Sequence, residues 1–159
     1  MARRPGHGGR AASPLAGDNG RRARLVSTQG RLTQLALADT SVFIAVEQQR
    51  PLAGTIPDRV AVSVVTIGEL RLGVLAAVET ATRAQRLRTL SRAEEVEPFP
   101  IDAAVARAWA ELRIALREQG KRMPLNASWI AATALAHGIP VISQDSDYDD
   151  VPGVQVIRV

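Results

Sequence analysis

Residues 59–78 read RVAVSVVTIGELRLGVLAAV, and the change of rhythm inside this stretch decides the fold. Arg59–Val65 is β-branched and almost continuously apolar, as a strand covered on both faces must be. Thr66–Val78 then reads as a helix. A buried strand running straight into a helix is half of a βαβ unit, the building block of a parallel sheet.

The same alternation recurs on both sides. Leu35–Ala38 is a short apolar run ending at Asp39, followed by a helical stretch over Ser41–Gln48. Thr80–Glu95 reads as a helix carrying Arg83, Arg86, Arg88 and Arg92, and Val96–Ile101 as a strand whose prolines suit a sheet edge. Asp102 caps a long helix reaching Gln119, with Val105, Ala108, Trp109, Leu112 and Leu116 as its apolar stripe and Gly120 as its stop. Asn126–His137 is a shorter helix closed by Gly138, and Ile139–Ser143 and Val154–Val159 complete the strands. The expected fold class is α/β: a three-layer α/β/α sandwich around a mostly parallel sheet of four to five strands.

The 159 residues fit one domain with a tail. Residues 1–33 are rich in Gly, Arg, Ser and Ala and have almost nothing to bury, so they are expected to form a basic, disordered extension. Such an extension is either an arm for nucleic acid or a functionless upstream addition. Residues 34–159 form the folded domain. The net charge of +4 hides an asymmetry. Residues 1–35 hold seven arginines against Asp18 alone, a net of +6, whereas residues 36–159 hold thirteen basic and fifteen acidic groups, a net of −2.

The chain has no cysteine, which removes disulfides, thiolate zinc sites and cysteine nucleophiles. No apolar run approaches the ~18 residues of a membrane helix, and the N-terminus lacks a secretory apolar core. A soluble, cytoplasmic protein with no membrane partner is expected. Aromatics are only 3% of the chain, too few for the base-stacking platforms of single-strand-binding folds.

Ligands of an open parallel sheet bind beyond the carboxyl ends of its strands. Acids fall there from three separate segments: Asp39 after the first strand, Glu69 in the first turn of the helix after the second, and Asp145 with Asp147 after the fourth strand. Gathered carboxylates repel, and a hard divalent cation, Mg²⁺ or Mn²⁺, is the natural counterweight for oxygen ligands. Each acid also has an ordinary explanation. Asp39 reads as a helix N-cap, Thr66-Ile67-Gly68-Glu69 as a capping box, and Asp145 and Asp147 as Asx turns. Together the ordinary readings weaken, because caps have no reason to share a sheet edge.

Competing α/β chemistries lack their motifs. There is no G-x-G-x-x-G after the first strand, no G-x-x-x-x-G-K-[ST] and no G-x-S-x-G. A phosphoaspartyl enzyme would want an acid two residues after Asp39, where Ser41 stands. His137 sits in a last helical turn, where it complements the dipole.

Four blocks now stand in order: Leu37-Ala38-Asp39-Thr40-Ser41, Thr66 to Gly73, Asn126 to Ala134, and Ser143-Gln144-Asp145-Ser146-Asp147-Tyr148. Over roughly residues 35–159 they resemble the signature blocks of PIN domains, most closely the VapC-type ribonuclease toxins of bacterial type II toxin–antitoxin pairs. The resemblance implies a Mg²⁺- or Mn²⁺-dependent endoribonuclease acting on structured RNA of the transfer or ribosomal class. Asp39, Glu69 and Asp145 would be its metal-holding, catalytic acids, with Asp147 as an auxiliary ligand. Thr40 and Asn126 would orient ligands or phosphate, and Gly73 would let a neighbouring helix approach closely. It also implies a homodimer and a cognate VapB-type antitoxin that lays a basic residue across the acids. Arg71, Lys121 and Arg122 are expected to flank the site and meet the RNA backbone, with surface solvation as the equal alternative.

One position departs from the pattern. The family reads Asn-Asp before this helix, and here Asn126 precedes Ala127. A methyl group binds no cation, and Ser128 is turned about 100° away on a helix. The resemblance therefore implies a chain inactivated at Ala127, by engineering or by decay. The alternative from another class is a non-catalytic module that binds RNA or antitoxin.

Overall fold

The structure, a computed structural model, describes residues 34–159; the expectations placed on residues 1–33 lie outside the described residues. Four short strands build the sheet: β1 (Leu35–Ala38), β2 (Arg59–Ala61), β3 (Val141–Ser143) and β4 (Val156–Arg158). All pairings are parallel, and the order is β2-β1-β3-β4. Because consecutive side chains leave a strand on opposite faces, each strand feeds two layers. Leu37, Ala61 and Val141 enter one core cluster, with Leu112, Leu116 and Ile130. Ala36 and Ile142 enter another, with Val42 and Val159.

The helices explain that division. α4 (Ala103–Glu118) and α5 (Leu125–His137) supply the apolar residues of the first cluster, and α1 (Thr40–Glu47) supplies Val42 to the second. α2 (Val64–Ala76) and α3 (Thr80–Ala93) pack on one another through Leu70, Leu90 and Ala93, with Phe43 of α1 against them. The expected three-layer α/β arrangement is what forms.

Two local expectations need correction. Val96–Ile101 is not a strand. Only Phe99 pairs, donating to the Val62 carbonyl at 2.8 Å and accepting from Val64 N–H at 3.0 Å. The partner segment turns into α2 at Val64, which leaves Ile101 no extended chain to pair with. The helix after β2 starts at Val64 rather than Thr66, because Ser63 is its N-cap and its hydroxyl accepts from Thr66 N–H at 3.1 Å. Glu69 is therefore in the second turn and completes no capping box. Nor does Gly73 serve a close helix approach: a Cβ there would meet only Arg86 Cδ, at 3.8 Å. Arg86 instead donates to the Gly73 carbonyl at 2.7 Å.

A tight approach does occur at Gly54, in the loop before β2. A Cβ on Gly54 would lie 2.4 Å from the Arg158 carbonyl oxygen, inside the backbone of β4. Gly54→Ala must push two backbone segments apart, so it is expected to cost about 1–3 kcal/mol. A urea midpoint unchanged from the parent chain would contradict this packing.

Candidate active site

The strand order reverses direction at β1: the chain leaves it for β2 on one side and for β3 on the other. The crevice beyond that reversal is where open α/β sheets bind ligands. Asp39 follows β1 and caps α1, its Oδ2 accepting from Ser41 N–H at 3.2 Å. The cap reading and the site reading hold for the same residue. Oδ2 also accepts from the Ser143 hydroxyl across the β1–β3 boundary at 3.1 Å, and Oδ1 accepts from the Tyr148 hydroxyl at 2.8 Å. Asp39 is only 5% exposed, so these donors replace the water that a carboxylate otherwise requires.

The turn after β3 is built from the same network. Ser143 Oγ accepts from Asp145 N–H at 2.9 Å, and Ser41 Oγ accepts from Gln144 N–H at 3.1 Å. Arg158, at the end of β4, donates to the Asp145 carbonyl and pairs with Asp149. Asp145 thus leaves the sheet in a fixed position. Burial first, then the negative charges of Asp39 and Asp147, hold its carboxyl above the usual carboxylate range, against the opposing influence of Arg158 and Arg50. For Tyr148, burial and the adjacent Asp39 push the phenol far above its ordinary value, so it stays a neutral donor.

Glu69 is held by two of the other predicted residues. Thr40 Oγ1 donates to its Oε2 at 2.5 Å, and Asn126 Nδ2 donates to its Oε1 at 2.8 Å. Asp39, Thr40, Glu69, Asn126, Ala127, Asp145 and Asp147 all line one crevice of about 470 Å³. Ala127 contributes a methyl to the same wall. Its neighbour Ser128 is fully buried, donating to the Leu125 carbonyl at 2.6 Å and accepting from Trp109 Nε1 at 3.0 Å, and so faces α4 rather than the acids.

The three cations expected to flank the acids do not line this crevice. Arg71 pairs with Glu94 at 2.5 Å. Lys121 and Arg122 line a separate cleft. Arg50, unremarked in the sequence, does line the crevice, as does Tyr148. Arg50 carries no motif that announces it; Tyr148 ends the last signature block and is, with Trp129, one of the two aromatic residues within those blocks.

The donor set suits a hard divalent ion in one binding mode. Among the described residues no three acidic or imidazole groups converge tightly enough to enclose an ion unaided. Mg²⁺ needs less than that, because it keeps several waters and binds through one or two carboxylates plus substrate phosphates. Asp39, Glu69 and Asp145 offer oxygen only, and the like-charge repulsion recorded at Asp145 is what a cation relieves.

Tyr148→Phe keeps the ring but leaves a buried carboxylate oxygen of Asp39 without its partner. The variant is expected to lose about 2 kcal/mol of stability, the scale of a hydrogen bond to a charged group. Equal urea midpoints for the variant and the parent would show that the bond carries no weight.

Residues 36–154 match the PIN domain family. The chain is 53% identical over 125 residues to Ribonuclease VapC5 of Mycobacterium tuberculosis (strain ATCC 25618 / H37Rv), covering 76% of this chain and 93% of that protein. It is also 53% identical over 129 residues to Ribonuclease VapC4 of the same strain, covering 78% and 96%. The crystal structure of VapBC-5 from Mycobacterium tuberculosis, a member of the VapBC family of toxin–antitoxin systems, superposes with a TM-score of 0.72 at 50% identity, covering 79% of this chain and 98% of that one. DNA-bound VapBC from Salmonella typhimurium shares the fold at a TM-score of 0.65 and 17% identity, covering 79% and 98%. Sheet order, the strand-end acids and these relatives agree, and the chain belongs to the PIN-domain family, in its VapC branch.

Proposed function

We propose that this chain is the toxin partner of a VapBC-type pair, built as a divalent-cation-dependent endoribonuclease and silenced at one position. The observation that carries the reading is the convergence of Asp39, Glu69, Asp145 and Asp147 on one crevice whose wall also holds the Ala127 methyl. Asp39, Glu69 and Asp145 are the catalytic acids of the proposal and would hold Mg²⁺ or Mn²⁺, with Asp147 beside them. Bound there, the ion would polarise the scissile phosphate and lower the pKa of an attacking water.

The remaining work falls to the chain's own groups. Tyr148, Ser143 and Ser41 hold the Asp39 side chain in place through hydrogen bonds, so that its position is set before substrate arrives. Thr40 and Asn126 occupy one lone pair on each Glu69 oxygen and fix the direction of the others. Arg50, on the rim, is placed to meet a phosphate oxygen. Asp145 and Asp147 carry the unrelieved charge.

The partner of the proposal is a VapB-type antitoxin. Leu72, Leu75 and Val78 on and just past α2, with Leu87 on α3, leave an exposed apolar face that supports a protein partner. A homodimer, a cytoplasmic location and a structured RNA substrate complete the reading. Among the described residues no helix is long and apolar enough to cross a membrane. A second reading, a module that binds RNA or antitoxin without cutting, is favoured by the same Ala127.

Ala127→Asp separates the two. It adds a fifth carboxylate to the crevice, beside Asp39, Glu69, Asp145 and Asp147, and is expected to raise Mn²⁺ affinity in calorimetry and cleavage of total RNA by roughly a hundredfold or more. Asp39→Asn in that background should silence it again. An Ala127→Asp protein that binds RNA but leaves it uncut with Mn²⁺ present would establish the non-catalytic module instead.

A further inference from the structure

The folded part of the chain carries a net −2, yet the proposed substrate is a polyanion and the proposed site a nest of carboxylates. Attraction has to come from a local concentration of positive charge. Of the twelve arginines among the described residues, four are spent elsewhere. Arg71 pairs with Glu94, Arg83 and Arg86 bind the Ala77 and Gly73 carbonyls, and Arg158 clamps the Asp145 turn.

One concentration remains. At the C-terminal end of α4 a cleft of about 650 Å³ is lined by Arg113, Arg117, Lys121 and Arg122, with Met123 in its floor and no carboxylate in its wall. Arg113 and Arg117 are four apart and share a helix face, an arrangement that disfavours the isolated helix. Gly120, at φ +67°, turns the chain so that Lys121 and Arg122 close over the same end. Two of the four are pinned. Arg113 donates to the Met123 carbonyl at 3.2 Å and lies over the Trp109 ring, and Lys121 donates to the Asp150 carbonyl at 2.7 Å. The side chains of Arg117 and Arg122 make no ion pair or hydrogen bond among the described residues.

The cleft meets the acidic crevice. Met123 lines the one and the next residue, Pro124, lines the other. Asp150, the partner of Lys121, is three residues beyond Asp147, which lines the crevice. A chain of phosphates lying in the cleft therefore runs directly to the acids.

Resting on the ribonuclease reading, we propose that this cleft is the track for the RNA backbone beside the scissile phosphate, with Arg117 and Arg122 as the contacting groups and Arg113 and Lys121 as its fixed walls. Guanidinium forks suit phosphate oxygens. Trp109, the aromatic nearest the cleft, is stacked on Trp129 at 4.4 Å and covered by Arg113, so it offers no free face to a base. The track reads phosphates and not sequence.

The test measures binding of a fluorescein-labelled RNA hairpin and of oligouridine to the full chain in EDTA, across a salt series. Arg117→Gln/Arg122→Gln is expected to weaken both RNAs alike, roughly tenfold at low salt, and to reduce the slope of log K against log[salt] by about 1.4, two single-strand phosphate contacts. Arg117→Lys/Arg122→Lys should restore most of that slope. The control Arg88→Gln/Arg92→Gln, on α3, removes equal charge and should leave the slope near the parent value. Equal loss in both Gln pairs, or no loss at Arg117 and Arg122, overturns the track. Unchanged RNA binding with weakened binding of the antitoxin's C-terminal peptide would assign the cleft to the protein partner and overturn it as well. In the Ala127→Asp background the same Gln pair should raise KM with kcat retained. Cleavage with unaltered KM would discard the track and keep the ribonuclease, whereas a parent chain that binds neither RNA discards both.

Discussion

The carboxylate of Asp39 is the constraint on which the rest of the structure turns. It is a buried charge at the point where the sheet changes direction, and a buried charge must be fully hydrogen-bonded or neutralised. Its donors come from the α1 N-terminus, from the end of β3 and from the short helical turn Ser146–Tyr148. Satisfying one residue therefore ties together segments more than a hundred positions apart. The same bonds that remove the electrostatic penalty also set where Asp145 leaves the sheet. Stability and site geometry are one problem here, solved by one network.

Much of this was legible in the sequence, and the gaps have physical causes. The period change at residues 59–78 and the strand-end acids announced the sheet, its crevice and the layers on either side. The edge at Val96–Ile101 was misread because apolar character suggests a strand, while the segment it would pair with already turns into α2 at Val64 and leaves one bridge at Phe99. The start of α2 was misread because Thr66 is itself a good cap; Ser63, three residues earlier, wins by leaving β2 in extended conformation at the right place. The role of Tyr148 was missed because its partner is 109 positions away, a separation no local pattern encodes. Lys121 and Arg122 were grouped with the acids by sequence proximity to Asn126, whereas the turn at Gly120 gives them a cleft of their own.

α5 shows how narrow the functional part of a helix is. Three consecutive residues face three environments: Asn126 reaches Glu69, Ala127 lines the crevice, and Ser128 is consumed by Trp109 and the Leu125 carbonyl. At about 100° per residue the side chains diverge, and it is Asn126 and Ala127, not Ser128, that line the crevice of the acids. A neighbouring polar side chain cannot stand in for what Ala127 lacks, because Ser128 has already spent its donor and an acceptor inside the α4–α5 packing. In the proposed reading a missing carboxylate there is a local matter of chemistry, separate from the fold, since Ala127 packs its methyl against the core that α5 shares with α4.

That separation bears on why the acids persist beside an alanine. Each remaining acid at the crevice either has a structural duty or is exposed enough to cost little. Asp39 caps α1 and organises the β3 turn, and Glu69 joins α2 to α1 and α5 through Thr40 and Asn126. Asp147 lies at the surface, where water screens it. The one strained member is Asp145, held above the ordinary carboxylate range by burial and by the charges of Asp39 and Asp147. Its backbone is fixed by Ser143 and Arg158, so the side chain cannot swing far from the charges that oppose it. In the proposed reading, a fold that holds two carboxylates against their mutual repulsion beside a cleft of cations separates the element that would draw phosphate from the element that would act on it. The first would be the cleft of Arg117 and Arg122, and the second the crevice to which Ala127 gives a methyl where an acid is expected.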